Sequence, residues 1–459
     1  MTDDAPVRSV PDLAPLHEAL GDALLVSPAE TAPYLDDTSR ARPEGQPLGV
    51  VTARTSRDVQ HALRWAHEHR VPVSIRGAGT GMTGGALAYR DGLVISLAGM
   101  RRILGVDPLN RLMDVEPGVV TADADAAAAE HGLMYAPDPA SSRESTIGGN
   151  IAVNAGGLRC VKYGVTADSI AALEVVLADG TIVVTGGRTR KNVVGYDLTR
   201  LFTGSEGTLG VITRATLRLL PRPSGPTATF RALFPEVEAA GRAVTAIMTS
   251  GLTPELMEIM DRASIELVER HAATGLDAGG AASMLVGQFI GERARADAAE
   301  AERLCRQAGA GDVRLAAGDE LLEARRLAGK ALNARGLRAS NDVGVPVTRL
   351  AEMFRAIERI EREQGVTIPT FGHAGDGNLH PSVLIDDESP QSFAEAERVL
   401  DLVTRAALEL GGTMSGEHGV GKLKRDALGE QLDPDTLALH RRIKAALDPR
   451  GILSSGRGV

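Results

Sequence analysis

Cysteine is nearly absent from this chain. Only Cys160 and Cys305 occur in 459 residues, too few for a disulfide framework. Basic charge is in deficit too. Lys and Arg number 50 against 60 Asp and Glu, a formal net charge of -10, which argues against a nucleic-acid partner gripped through its phosphates. No apolar run approaches the roughly 20 residues that a membrane helix needs. Residues 1–15 carry acids and prolines where a signal peptide has a basic and then an apolar stretch, so a cytoplasmic location is expected. Aromatic residues are scarce, and no function follows from that. There is no internal repeat and no low-complexity segment.

What remains is an ordinary globular composition, 43% hydrophobic and 24% charged. The length suggests two or three domains. Residues 1–45 are polar and proline-dotted, with one helix expected at Asp12–Leu20. From Leu48 short strands alternate with helices. Residues 49–51, 71–76, 93–97 and 112–115 read as strands, and 56–70 and 122–131 as helices. Ala178-Asp179-Gly180 between two apolar runs signals a hairpin. Three prolines and a glycine within residues 221–226 mark a boundary. Beyond it, strand-helix-strand occurs twice, over 228–260 and 283–315, which predicts an antiparallel sheet with helices on one face. Long helices are expected over 392–410 and 437–447.

The segment Arg76-Gly77-Ala78-Gly79-Thr80-Gly81-Met82-Thr83-Gly84-Gly85 contains a GxGxxG match at Gly79, Gly81 and Gly84. A Rossmann turn needs a helix at once, to aim its N-terminal amides at a pyrophosphate. Here residues 86–92 run straight into a strand, so the Rossmann reading is rejected. Five glycines within residues 77–85 still let successive amides close on an anion, so the loop reads as a diphosphate cradle rather than a mere turn. Residues 137–157, rich in Gly, Ser, Thr and Asn, suit a backbone wrapped around a flat, polar-edged ligand. Residues 202–213 form a third small-residue segment.

Two histidines flank a tight turn in Gly372-His373-Ala374-Gly375-Asp376-Gly377-Asn378-Leu379-His380, and a Glu-His pair follows in Ser415-Gly416-Glu417-His418-Gly419. If residues 367–373 and 378–385 form a hairpin, the histidines oppose each other across it. Two imidazoles and a carboxylate suit Zn²⁺, Fe²⁺ or Mn²⁺ with positions open for substrate. His373, His380 and Glu417 are therefore the expected ligands. His418 is then free to act as a base, because an imidazole titrates near neutral pH. A bland alternative makes the histidines hydrogen-bonded core residues; two of them in a glycine-rich hairpin, with Glu-His in another glycine-rich turn, favour the site. Arg325, Arg326, Lys330 and Arg335 precede it. One of them can pair with a substrate carboxylate, while most fit a solvated helix face.

These motifs together resemble the FAD-linked 2-hydroxyacid dehydrogenases of the vanillyl-alcohol-oxidase superfamily, which include the D subunit of glycolate oxidase, D-lactate dehydrogenases and D-2-hydroxyglutarate dehydrogenases. The resemblance runs from about Leu48 to the C-terminus. It rests on residues 76–85, 146–157, 204–213, 373–380 and 417–421. It implies an α+β chain: a two-subdomain FAD-binding domain of the PCMH type over 1–222 (core 45–222), a cap domain over 223–410, and a C-terminal segment, 411–459, returning to the FAD domain. It places the pyrophosphate on residues 76–85 and the flavin against Pro137, Asp138, Thr146, Gly149, Asn150, Asn154, Gly156 and Gly157. Glu206 would join the FAD contacts, Val211 and Ile212 would meet the adenine end through their backbones, and Asn378 would approach the isoalloxazine.

The first loop has no histidine for a covalent link, so non-covalent FAD is expected, with zinc as the first choice of metal. The family's Trp-x-x-Arg stretch appears here as Leu327-Ala328-Gly329-Lys330. Lysine keeps the charge but loses the bidentate fork, which makes Arg326 the substitute for carboxylate recognition. Ser340 stands where hydroxyglutarate enzymes place a lysine. The implied reaction is oxidation of a small D-2-hydroxy acid to the 2-oxo acid. The alternatives are a hydroxyglutarate dehydrogenase, a metal-free oxidase of a sugar or alcohol, and a non-catalytic FAD-carrying subunit. The electron acceptor stays open among oxygen, a quinone, a cytochrome and an electron-transfer flavoprotein, and assembly between a homodimer and a complex with other oxidase subunits.

Overall fold

The computed structural model describes residues 11–39, 41–272, 274, 276 and 278–459; the reading of residues 1–10 lies outside them. Ahead of the proline-rich boundary the chain builds two main sheets. The first has four strands in the order Leu24–Leu25, Gly49–Thr52, Leu93–Ser96, Val73–Arg76, and the last three are parallel. The second is antiparallel, with five strands in the order Ile103–Asp107, Leu112–Val115, Val211–Arg218, Ile170–Val176, Ile182–Gly186. The last pair is the expected hairpin around Asp179-Gly180.

Helix Ser56–His69 joins the two sheets. Thr55 caps it: its hydroxyl accepts from Asp58 N at 3.3 Å, and the Asp58 carboxylate accepts from Thr55 N at 3.0 Å. Its apolar residues Val59, Ala62, Leu63 and Ala66 follow the spacing of one helix face. They are fully buried in a core shared by Val51, Val73 and Ile95 of the first sheet and Val176 and Val211 of the second. No helix follows strand Val73–Arg76 before the next strand begins at Leu93, as the rejection of a Rossmann turn requires. Among the helices not foreseen, one lies in the small-residue segment. Residues Ile147–Val153, read above as wrapped loop, are helical. Two glycines weaken the local preference, but Thr146 caps the first turn and Ile147 and Ile151 are buried in the core.

After the boundary a sheet of eight strands forms. Its main order is Asp312–Ala317, Thr227–Phe234, Ser283–Ile290, Leu256–Asp261, Thr370–His373, Asn378–Leu384, Arg338–Ser340, and Val343–Gly344 also pairs with Asn378–Leu384. Every pairing in it is antiparallel. The α+β class is as expected, but the helices lie on both faces of this sheet rather than one. Val237–Thr249, Ala294–Ala308, Leu350–Gln364 and Pro390–Glu409 cover one face. Arg262–Ala272 and Glu323–Arg335 cover the other. The reason is visible in the strands. All but the first residue of Thr227–Phe234 are buried, a continuous run that marks a sheet packed on both sides.

The end of the chain returns to the start. Leu453 makes a parallel bridge to Val73, with Val73 N donating to Ile452 O at 2.7 Å and Ser454 N to Val73 O at 2.9 Å. No helix among the described residues is long and apolar enough to cross a membrane. Phe230 is fully buried in the larger core of the eight-stranded sheet. Phe230→Ala is expected to destabilise this half by about 3–5 kcal/mol, read as a lower denaturant midpoint at unchanged m-value.

Candidate functional site

The glycine cradle is held from outside by the chain that precedes it. The Thr38 hydroxyl reaches the carbonyls of Thr80 and Gly81 at 2.9 and 2.8 Å, and Arg76 donates to the Asp36 carbonyl. Gly79 and Gly84 have φ of 78° and 77°, a region that glycine enters without penalty. A Cβ on Gly77 would stand 2.5 Å from Thr146 Oγ1. That close approach seats the 146–157 segment against the cradle. Within that segment Asn150 Nδ2 donates to Thr121 Oγ1 at 2.6 Å, and Asn154 Oδ1 accepts from Ala167 N at 2.8 Å. Asp138, beside the buried Pro137, accepts from Arg159 N at 3.1 Å. Its burial pushes the carboxyl up to about 6.

Not every expected cofactor residue turns the same way. The Glu206 carboxylate accepts from the backbone N–H groups of Val420 and Gly421, at 2.8 and 2.6 Å, and so holds the Glu-His turn. The side chains of Val211 and Ile212 are buried in hydrophobic cores, leaving only their backbone for a ligand. Arg326 lies at the surface, paired with Asp319, and Lys330 is exposed.

The histidine hairpin forms, with Asp376-Gly377 in its turn. Its register differs from the expectation. His380 stands opposite Phe371, and His373 opposite Asn378. The two histidines are therefore diagonal neighbours on one face of the ladder, not a directly opposed pair. Diagonal neighbours remain within reach for large rings, and here the centroids are 5.2 Å apart. Glu417 closes the group, its Oε1 3.4 Å from His373 Nε2 and 3.3 Å from His380 Nε2. The three donor atoms lie within 4.8 Å of one another, a separation that one divalent ion can span. His418 stacks on His380 with centroids 5.3 Å apart and planes 10° off parallel.

Burial resists ionisation of Glu417, yet the two imidazoles hold its carboxyl down at about 2. Burial also resists a charge on His373, but the carboxylates of Glu258 and Glu417 overcome it and raise that imidazole well above its ordinary value. At His380 burial prevails and the value falls to about 3. Two adjacent imidazoles thus stay unlike, a pattern of functional sites. His373 and Glu417 line a cavity of about 490 Å³, together with Gly156, Gly157 and Cys160. Asn378 lines it too, with an Oδ1 that has no hydrogen-bond partner among the described residues. A Cβ on Gly156 would stand 2.5 Å from Glu417 Oε2, so a glycine there lets the two segments pack this closely.

Two buried carboxylates of this site were not singled out from sequence. Glu258 sits in Leu256–Asp261, directly paired with His373, and its Oε1 is 2.8 Å from His373 Nδ1. Asp342 accepts from Ser415 Oγ, Glu417 N and His418 N at 2.8, 3.0 and 2.9 Å. A lone charge inside an apolar run, Leu-Met-Glu-Ile-Met, was the available signal for Glu258. Of the four basic residues named above, Arg325 is the one that reaches inward. It lies 2.7 Å from Glu258 Oε2 and its guanidinium stands 4.8 Å from the Phe371 ring centre.

Two family models match the chain: an FAD binding domain over residues 47–186 and the C-terminal domain of FAD linked oxidases over residues 226–457. The chain is 40% identical over 422 residues to the glycolate oxidase subunit GlcD of Bacillus subtilis, covering 90% of this chain and 89% of that protein. It is 37% identical over 416 residues to a D-lactate dehydrogenase of Archaeoglobus fulgidus, covering 89% and 91%. Among solved structures it is similar to p-cresol methylhydroxylase with substrate bound, at TM-score 0.80 and 20% identity, over 97% of this chain and 95% of that one. That identity establishes the fold alone.

Glu417 is one of the charges that raise His373. Removing a neighbouring negative charge favours the neutral ring. In chelator-treated protein, Glu417→Gln is therefore expected to lower the His373 pKa, followed by imidazole NMR shifts against pH.

Proposed function

The chain belongs to the FAD-linked oxidases, and on that premise we propose that it oxidises a small D-2-hydroxy acid, of the D-lactate or glycolate kind, to the 2-oxo acid. One observation carries this reading: His373, His380 and Glu417 gather their donor atoms at one point with His418 stacked on His380, and two of them, His373 and Glu417, line a cavity that the glycine-rich 156–157 turn also lines. The printed names of the relatives, glycolate oxidase subunit and D-lactate dehydrogenase, agree with it.

Bound FAD supplies the acceptor for the α-hydrogen as hydride, and a bound divalent ion lowers the pKa of the substrate hydroxyl. The chain's own residues do the rest. Residues 76–85 offer amides to the FAD diphosphate, and residues 137–157 with Asn378 offer polar edges to the ring system. His373 Nε2, His380 Nε2 and the Glu417 carboxylate hold the ion, zinc by preference from the ligand set, with iron or manganese as alternatives. His418, stacked on His380, accepts the hydroxyl proton on a ring nitrogen. Of the two cations expected to meet the substrate carboxylate, Arg326 is tied to Asp319, which leaves Lys330 as the proposed contact.

His418→Ala is expected to retain FAD and to slow flavin reduction by about 10²–10⁴-fold, measured as anaerobic bleaching with D-lactate and with glycolate. Unimpaired bleaching rejects the role. His380→Ala is expected to lose metal and activity together, with metal content read by elemental analysis.

A further inference from the structure

Both imidazoles of the ligand group turn Nε2 toward Glu417. Their Nδ1 atoms therefore point away from it, into the eight-stranded half. A buried carboxylate stands behind each. Behind His373 it is Glu258, 2.8 Å from Nδ1. Behind His380 it is Asp342, whose Oδ1 lies 4.0 Å from Nδ1. Neither atom of that second pair has another hydrogen-bond partner among the described residues. A closure of about 1 Å brings them into hydrogen-bond range. The side chains of Glu258 and Asp342 are 1% and 0% exposed.

We infer that Glu258 and Asp342 are positioning residues that each accept the Nδ1–H of one histidine and so present both Nε2 lone pairs to a single ion beside Glu417. The inference rests on the metal reading proposed above. The chemistry is that of a neutral imidazole, which carries one N–H and one lone pair. An ionised carboxylate only accepts, so it selects the tautomer with hydrogen on Nδ1 and leaves Nε2 free to ligate. It also fixes ring rotation, which otherwise blurs the aim of the lone pair.

Each carboxylate is itself fixed by a different device. Glu258 is buried, and a lone buried charge is costly; Arg325 supplies the opposite charge at 2.7 Å. Arg325 in turn stands over Phe371, whose ring meets His380 edge-on at 5.7 Å. Asp342 is fixed by three donors from the Glu-His turn, the turn that carries the third ligand. The support of one ligand is thereby shared with the others.

The test uses the full chain loaded with FAD, with Zn²⁺ and Co²⁺ as probes. Metal affinity is measured by competition with a chromophoric chelator, and the Co²⁺ visible bands report geometry. Wild type is compared with Glu258→Gln, Asp342→Asn and His380→Ala. Glu258→Gln keeps the side-chain size and removes the charge. Its affinity is expected to fall about 10–100-fold, with altered Co²⁺ bands and an unchanged flavin-to-protein ratio. Its metal-induced rise in Tm shrinks accordingly. Asp342→Asn is expected to move affinity the same way, and Glu258→Gln decides alone if that variant does not fold. Wild-type affinity in Glu258→Gln, beside a loss in His380→Ala, overturns the inference while leaving the metal reading intact. A lower metal-free Tm with unchanged affinity also overturns it, marking Glu258 as a structural partner of Arg325. A wild type that binds neither ion better than His380→Ala removes the metal reading and this inference with it.

Discussion

The site depends on one buried carboxylate. Asp342 has no exposed surface, yet it is ionised well below the ordinary range, because His418, Lys424 and His380 outweigh its burial. Its Oδ2 collects three donors from residues 415–418. Lys424 completes the arrangement by donating to the carbonyls of Asp342 and Met414 at 3.0 and 2.8 Å. The Glu-His turn is thus pinned to the eight-stranded half at the point where its sheet presents the histidine hairpin. Without that pin, Glu417 and His418 would have no fixed relation to His373 and His380. Burial makes each of these bonds strong and leaves no cheap alternative for any partner.

The same turn is pinned from the opposite side. Glu206, half-buried in the cofactor half, accepts from Val420 and Gly421, while Lys422 and Leu423 donate to the Thr83 carbonyl. Residues 415–423 therefore bridge the glycine cradle and the His373–His380 pair. A second bridge starts from helix Cys160–Tyr163, whose first residue lines the cavity. Glu255, from the eight-stranded half, accepts from Lys162 at 2.8 Å and from Tyr163 at 2.8 Å. Two separate ties thus hold the halves together near one cavity, the kind of fixed geometry on which positioned reactants depend.

Much of this was legible in the sequence because it is written in short-range signals. The glycine-rich loop with no room for a helix, the Asp-Gly hairpin turns and the proline-rich boundary are local, and the structure follows them. The cluster of His373, His380 and Glu417 was legible as residue types, since few contexts put two histidines and Glu-His in glycine-rich turns. The rest depends on pairings that no local pattern encodes. The diagonal register of His373 and His380 follows from which residues the turn consumes. Helices on both faces follow from strands in which polar residues such as Thr229 and Arg231 are buried alongside the apolar ones, which their alternation does not announce. Glu258 is paired to His373 across 115 positions, and Asp342 to His418 across 76. Arg325 looked like one cation among four on a helix, until the helix was packed and only that one turned inward.

The final segment carries a consequence for how this protein is made. Leu453 bridges to Val73, so the parallel sheet beneath the glycine loop lacks that edge partner until residue 453 has left the ribosome. During synthesis, at about 5–20 residues per second, the strand before the cradle waits roughly 20–75 seconds with one side unpaired. An open strand edge is a template for unwanted association. Nascent chains of this protein therefore need that edge shielded for longer than the small sheet would suggest.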